Sequence, residues 1–236
     1  MPDVLILADP PAFGTSPQAA SPAWEMKRAI GEHFQAKLPD SPLPSPRTAQ
    51  SVEIVWTTEL ATQVEYRSTQ ENLLLCPLTF NVPDAWATPG REVFAACRDT
   101  ATMRQTVARW QYPVGDGPYW LPLVLTAKGL LFAEAIAQIE GKDDTFHQPF
   151  HLDDAQRQPL YKLGQDLMRS LAALPGVYLM QFGIDDEAIQ FDRLIPFPDK
   201  PAIASVGRQT PDLFLCHWYC LTHQPIRELS ITPYAA

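Results

Sequence analysis

Glycine is scarce in this sequence, with 11 glycines against 24 prolines among 236 residues. The glycine-rich motifs that cradle phosphates are missing, since neither G-x-G-x-x-G nor G-x-x-x-x-G-K-[ST] occurs. The G-x-S-x-G turn that carries the nucleophile of serine hydrolases is missing as well. The sequence therefore has no local signature of a P-loop protein, a dinucleotide-binding enzyme or an α/β-hydrolase.

Basic residues and long apolar runs are also few. Lysine and arginine number 18 against 27 acidic residues, which gives a net charge of -9 and a pI near 5.0. Such a chain repels a phosphate backbone, so nucleic acid is not expected as a partner. No apolar run approaches the roughly 18 residues of a membrane span, and Val4–Ala8 is too short for a signal peptide. We expect a cytoplasmic protein whose cysteines are reduced. The cysteines are Cys76, Cys97, Cys216 and Cys220.

The first half of the chain alternates short apolar runs, which are typical of buried strands, with two helical patterns. Pro39–Ser51 contains four prolines and no aromatic residue, so we interpret it as the linker that ends an N-terminal segment of residues 1–51. Residues 52–236 would form the main domain. Strands are predicted at Val4–Ala8, Val52–Thr57, Asn72–Leu78 and Leu121–Thr126, and helices at Ala23–Leu38 and Val93–Trp110, while Leu130–Ile139 fits either structure.

The second half predicts a long helix followed by a hairpin. Leucines spaced three or four residues apart indicate a helix over Asp153–Leu174. Gly176–Gly183 is rich in residues that favour strands, and Ile189–Ile195 alternates apolar and polar side chains. The two strands should pair in an antiparallel hairpin around an acidic turn at 185–187. This order of elements predicts a mixed α/β (α+β) fold.

A final helix is predicted to begin at Thr210, as its N-cap, and to run to about Thr222. Cys216, Cys220 and His223 would then fall on one face, which suits a soft metal such as zinc. Zinc would need a fourth ligand from elsewhere in the chain. The other interpretation is that the cysteines are small buried core residues, as free cysteines usually are, and we favour it.

Residues 153–226 combine a long helix, the strands GVYLMQFGI and AIQFDRLIPFP, and the helix TPDLFLCHWYCLTHQPI. In this order they resemble the closing part of ATP-grasp enzymes, most of all the ATP-dependent carboxyaminoimidazole ribonucleotide synthase type. That family has strands of the form G-V-x-x-x-E-F and N-E-x-x-P-R-P, then a helix of the form F-x-x-H. The matching residues here are Gly176, Val177, Phe182, Pro196, Pro198, Phe214 and His217.

The resemblance implies an ATP-grasp-like antiparallel sheet with packed helices, in which carboxylates on two strands hold magnesium beside ATP. Those carboxylate positions fall on Gln181 and Arg193, with Asp192 at the position of an asparagine. The family's lysine corresponds to Lys128, two residues late, and no glycine-rich flap follows it, so a reduced nucleotide lobe is expected. An amide and a guanidinium cannot replace two anionic metal ligands, so magnesium is not expected, whereas ATP stays open as a ligand.

Three functional hypotheses follow, and none assigns catalytic residues or an oligomeric state. The favoured one is a protein that has lost magnesium-dependent ligation and acts as a binding or scaffolding protein for a protein partner or a small acidic ligand. The alternative is an active ATP-dependent ligase with a rearranged metal site. A third is a metal or redox module at Cys216, Cys220 and His223. Ligand-binding residues are predicted at Lys128, Glu134, Gln181, Asp192, Arg193 and Arg208.

Overall fold

The computed structural model describes residues 3–11, 21–36, 51–59, 73–82, 89–186 and 188–232. The chain divides into two compact units, Met1–Thr88 and Pro89–Ala236. The sequence placed a boundary after residue 51, but the strand that follows pairs with the N-terminal strand and so belongs to the first unit. The predicted linker lies outside the described residues, apart from its last residue.

The first unit is built on a three-stranded parallel sheet. Its strands are β1 (Asp3–Ala8), β2 (Val52–Trp56) and β3 (Leu73–Leu78), in the order β2-β1-β3. All residues of β1 after the first are buried, as its continuous apolar run predicted, because a central parallel strand is covered on both faces. One helix, α1 (Pro22–Ala36), contacts β1 and β2.

The second unit contains a six-stranded sheet in which every strand pair is antiparallel. Its strands are β4 (Tyr119–Thr126), β5 (Gly129–Phe132), β6 (Ala135–Gln138), β7 (Phe146–Phe150), β8 (Gly176–Asp185) and β9 (Ala188–Ile195). They lie in the order β7-β6-β4-β8-β9, and β5 also pairs with β4. The ambiguous stretch 130–139 is therefore two short strands. A separate pair joins β10 (Gln209–Thr210) and β11 (Ser230–Ile231).

The helices of the second unit are α2 (Arg91–Arg98), α3 (Thr100–Arg109), α4 (Asp154–Ser170) and α5 (Leu213–Leu221), with a 3-10 helix at Lys200–Ser205. The single helix predicted over 93–110 is two helices, because Asp99 ends α2 and its carboxylate accepts the N–H of Thr102 as the cap of α3. None of the described helices is long and apolar enough to cross a membrane.

Two helix ends differ from the prediction for local reasons. α4 ends at Ser170, four residues early, because Ala172 adopts the left-handed conformation with φ of 45°. α5 is capped by Asp212, whose Oδ1 accepts the N–H of Leu215 at 2.9 Å, while the predicted cap Thr210 lies in β10. A carboxylate and a hydroxyl are both good caps, so the sequence alone did not separate them.

The predicted hairpin of β8 and β9 is confirmed. Leu179 and Met180 are neighbours on β8 whose side chains point to opposite faces, and both are fully buried. The middle of β8 is therefore covered on both sides of the sheet. Polar side chains appear only toward the end of the strand, at Gln181 and Asp185, and the candidate site lies there.

Candidate functional site

Gln181 and Arg193 lie directly opposite each other on β8 and β9. Cross-strand partners share a face of the sheet, so the two side chains stand side by side. The amide Nε2 of Gln181 donates to the carbonyl of Gly117 at 2.7 Å. The side chain of Arg193 is about half exposed, and its Nε donates to Oδ1 of Asp192 at 3.1 Å. This pair presents amide and guanidinium groups where the resemblance placed two carboxylates.

Asp192 is the extra residue of a β-bulge. Gln181 pairs with Arg193, but the next residue, Phe182, pairs with Phe191, so Asp192 has no partner of its own on β8. The bulge turns its side chain inward, and the residue is only 1% exposed. An alternating strand pattern does not reveal such an insertion, so the sequence could not predict that the Asp192 side chain is buried.

The carboxylate of Asp192 is held by three donors. A terminal nitrogen of Arg104, on α3, donates to its Oδ1 at 2.5 Å, and Arg193 donates to the same oxygen. The backbone N–H of Gly117 donates to Oδ2 at 3.4 Å. Arg104 also donates from Nε to the carbonyl of Asp192 at 2.9 Å. The buried acid is thus paired and hydrogen-bonded, as a buried charge must be.

Arg104 reaches a second acid, the exposed Asp116. The terminal nitrogen that contacts Asp192 also lies 2.5 Å from Oδ1 of Asp116. Hydrogen bonding to Asp116, the largest influence, raises the pKa of Arg104, and the same contact lowers the pKa of Asp116. Both groups are therefore more firmly charged than in isolation.

A short segment, residues 113–118, lies across the hairpin, and we call it the strap. The N–H of Gly115 donates to the carbonyl of Phe191 at 3.0 Å, and the N–H of Phe191 donates to the carbonyl of Pro113 at 2.9 Å. A Cβ at Gly117 would run into the backbone of Phe182 and Gly183, so this position requires glycine. Gly115 and Gly117 are the sign of close backbone approach that the sequence offers in this segment.

Lys128 lies away from the hairpin site. It is exposed in the tight turn between β4 and β5, where its N–H donates to the hydroxyl of Thr126 at 3.1 Å. Trp120, six residues before Thr126 on β4, is the residue that pairs with Gln181. At about 3.3 Å per residue, the turn begins roughly 20 Å from Gln181 along the strand.

Glu134 and Arg208 also lie on other elements. Glu134 follows β5, where its carboxylate lies 4.0 Å from a nitrogen of Arg157 on α4. The backbone of Arg208 bonds to Ser205 and Thr232 in the turn before β10. Of the six predicted residues, the structure therefore brings together Gln181, Asp192 and Arg193. The sequence missed Arg104, Asp116 and Gly117, whose link to the hairpin depends on folding.

The predicted Cys/His face does not form. Cys216 and Cys220 are buried in α5, and burial raises the pKa of the Cys220 thiol to about 12. His223 lies beyond the end of α5, where it is exposed and has a φ of 54°. Across the described parts of the chain, no three His, Cys, Asp or Glu side chains are grouped so that they could hold a metal. The cysteines are core residues, as the favoured interpretation expected.

No family model and no curated protein matches this chain. Solved structures do match, among them the glycinamide-RNase-transformylase T of Mycobacterium tuberculosis, with 15% identity, a TM-score of 0.65, and coverage of 94% of this chain and 80% of that one. The N5-carboxyaminoimidazole ribonucleotide synthetase of Thermus thermophilus matches with 11% identity and a TM-score of 0.66, and the match covers 94% of this chain and 79% of that one. The synthetase of the same name from Thermotoga maritima matches with 9% identity and a TM-score of 0.64, and the match covers 98% of this chain and 78% of that one. The chain has an ATP-grasp-like fold, as predicted.

Proposed function

We propose that this ATP-grasp-like protein does not carry out magnesium-dependent ligation and instead binds a small acidic ligand or a protein partner at the β8–β9 hairpin. The observation that carries the proposal is the pairing of Gln181 with Arg193 on one face of the sheet. These are the two positions at which the resembled enzymes hold magnesium with carboxylates.

The chemistry of this pair opposes metal binding and favours an anion. Magnesium is bound in proteins through anionic oxygens, and a guanidinium at one of the two positions repels it. The terminal nitrogens of Arg193 have no hydrogen-bond partner among the described residues, and the side chain is about half exposed. A guanidinium fork of this kind matches the geometry of a carboxylate or phosphate, which supports an acidic ligand.

The buried position of Asp192 argues against the alternative of a rearranged metal site. Its carboxylate already accepts hydrogen bonds from Arg104, Arg193 and Gly117. A metal would have to displace a guanidinium from a nearly inaccessible acid. Lys128, the lysine of that alternative, lies on a different part of the sheet.

Two further features support a cytoplasmic location and a partner other than nucleic acid. All four cysteines are buried and free, which fits the reducing conditions of the cytoplasm. The net charge of -9 disfavours nucleic acid as the partner.

The test is thermal melting of the full chain with ATP and magnesium, together with an assay of phosphate release. We expect neither a rise in Tm at millimolar ATP and magnesium nor phosphate release above the buffer, because no acids are available at the hairpin pair to bridge the metal to the phosphates. A magnesium-dependent ATP-grasp enzyme serves as positive control. A rise of several degrees that requires both ATP and magnesium would overturn the proposal.

A further inference from the structure

Two carboxylates meet at one nitrogen of Arg104. That nitrogen lies 2.5 Å from Oδ1 of Asp192 and 2.5 Å from Oδ1 of Asp116. Calcium binds carboxylate oxygens at about 2.3–2.6 Å, so the nitrogen occupies a point that would also suit a divalent cation. The group present at this point is a cation supplied by the chain itself.

A cation is required here because the bulge places Asp192 inside the protein. The side chain of Asp192 is 2% exposed, and a buried carboxylate without a partner is strongly destabilising. The remaining donors are a long contact from the N–H of Gly117, at 3.4 Å, and the Nε of the half-exposed Arg193. Arg104 therefore provides the main compensation, and it is fixed in place by its second bond to the Asp192 carbonyl.

We propose that Arg104 is a built-in cation that neutralises Asp192 and Asp116 and thereby keeps divalent metal ions away from the buried side of the β8–β9 hairpin. This inference rests on the proposed metal-independent function and names the residue that enforces it. Arg104 is a positioning residue, since it acts on Asp192 and on the strap rather than on a ligand. With Arg104 uncharged, Asp192 keeps the Nε of the half-exposed Arg193 as its one charged partner among the described contacts, and the point between Asp192 and Asp116 is open to a divalent cation.

The test is a titration of the full chain with CaCl2, and separately with MgCl2, followed by thermal melting. Arg104→Met keeps the aliphatic stem and removes the charge. We expect roughly 10 mM CaCl2 to raise the Tm of this variant by about 3–6 °C, as for a site of millimolar affinity. The wild type and Arg104→Lys should not respond, because both retain a cation at this position.

Two matched variants make the result specific. Arg169→Met removes an exposed arginine from its pair with Asp166 on α4, and it should show no calcium response. Adding Asp116→Asn to Arg104→Met should abolish the calcium response, since Asp116 is exposed and its loss does not disturb the core. If Arg104→Met is unfolded on its own, recovery of its folded circular dichroism signal by CaCl2 supports the inference, and no recovery overturns it.

A calcium response in the wild type, or none in folded Arg104→Met, overturns the inference. A different experiment, melting of the wild type with ATP and magnesium, decides whether the proposed function is wrong. A rise in the wild-type Tm that depends on ATP and magnesium counts against the absence of ligation, because it requires the nucleotide, whereas the calcium response of Arg104→Met is measured without any nucleotide. That result leaves the calcium response of Arg104→Met unaffected.

Discussion

At the scale of single residues, His217 shows how a match to a functional family can reflect packing. The ring is buried in α5, and its Nδ1 accepts the N–H of Val177 at the start of β8, at 3.0 Å. The ring is therefore neutral, with its proton on Nε2, for which the described residues supply no acceptor. Burial lowers the pKa of His217 to about 3. The residue joins helix to sheet and carries no chemistry in the proposed function.

This lowered pKa makes stability depend on pH. Below pH 6.5 the unfolded chain takes up a proton at His217 that the folded chain refuses, so the free energy of unfolding falls as pH decreases from 6.5 toward 3. The expected slope approaches 1.4 kcal/mol per pH unit, or about 2 kcal/mol between pH 6.5 and 5. Urea unfolding at these two pH values measures it. His217→Gln, which can still accept the N–H of Val177, should lose this part of the slope; an unchanged slope would contradict the assignment.

Cys220 gives a second prediction at this scale. It is 2% exposed, and its thiol is one of four buried free thiols. Cys220→Ala should lower the free energy of unfolding by about 1–2 kcal/mol, the usual cost of a small buried truncation. Chemical denaturation measures the loss, and metal analysis of both proteins should find no zinc. Zinc in the wild type that disappears in the variant would restore the metal interpretation.

At the scale of elements, the strap and the bulge act together. The strap pairs with β9 next to the bulge, and Gly117 fits against Phe182 and Gly183 with no room for a side chain. Gly117→Ala should destabilise the protein by about 1–3 kcal/mol, because backbone atoms cannot move aside as a flexible side chain can. Gly31→Ala is the matched control. Gly31 lies inside α1 with nothing near its Cβ, so alanine there should stabilise by up to about 1 kcal/mol. Equal effects in the two variants, measured by thermal melting, would contradict the close packing.

The elements also show what a sequence can and cannot specify. β8, β9 and α5 were predictable because apolar spacing and turn residues act locally. The break at Asp99 depends on one capping bond, and the bulge at Asp192 depends on its pairing with α3, so neither leaves a periodic pattern. The resemblance drew attention to Gln181 and Arg193 because they lie within local sequence patterns. Arg104 lies 88 residues before Asp192 in the chain, so its contact with Asp192 could be seen only in the folded structure.

At the scale of the whole molecule, an ATP-grasp-like fold occurs together with Gln181 and Arg193 at the positions where the resemblance expects acids. Burial of apolar strands, such as β1 in the first unit and β8 in the second, stabilises the fold whatever side chains stand at positions 181 and 193. Function is a property of the site placed on a fold, so the two can separate. Under the proposed function, the strands are retained while the pair Gln181 and Arg193 favours anions in place of cations.

Restoring the acids tests this view on the intact chain. In the double variant Gln181→Glu/Arg193→Glu, two carboxylates face each other across the hairpin, and magnesium alone should raise its Tm, since the metal relieves their repulsion and binds both. The control is Gln165→Glu/Arg169→Glu, which makes the same charge change at two exposed positions one helical turn apart on α4. We expect a rise of a few degrees at roughly 10 mM MgCl2 for the hairpin variant and a clearly smaller one for the control. Equal responses would mean that the effect is general charge screening and that the hairpin does not occupy the metal position of the fold.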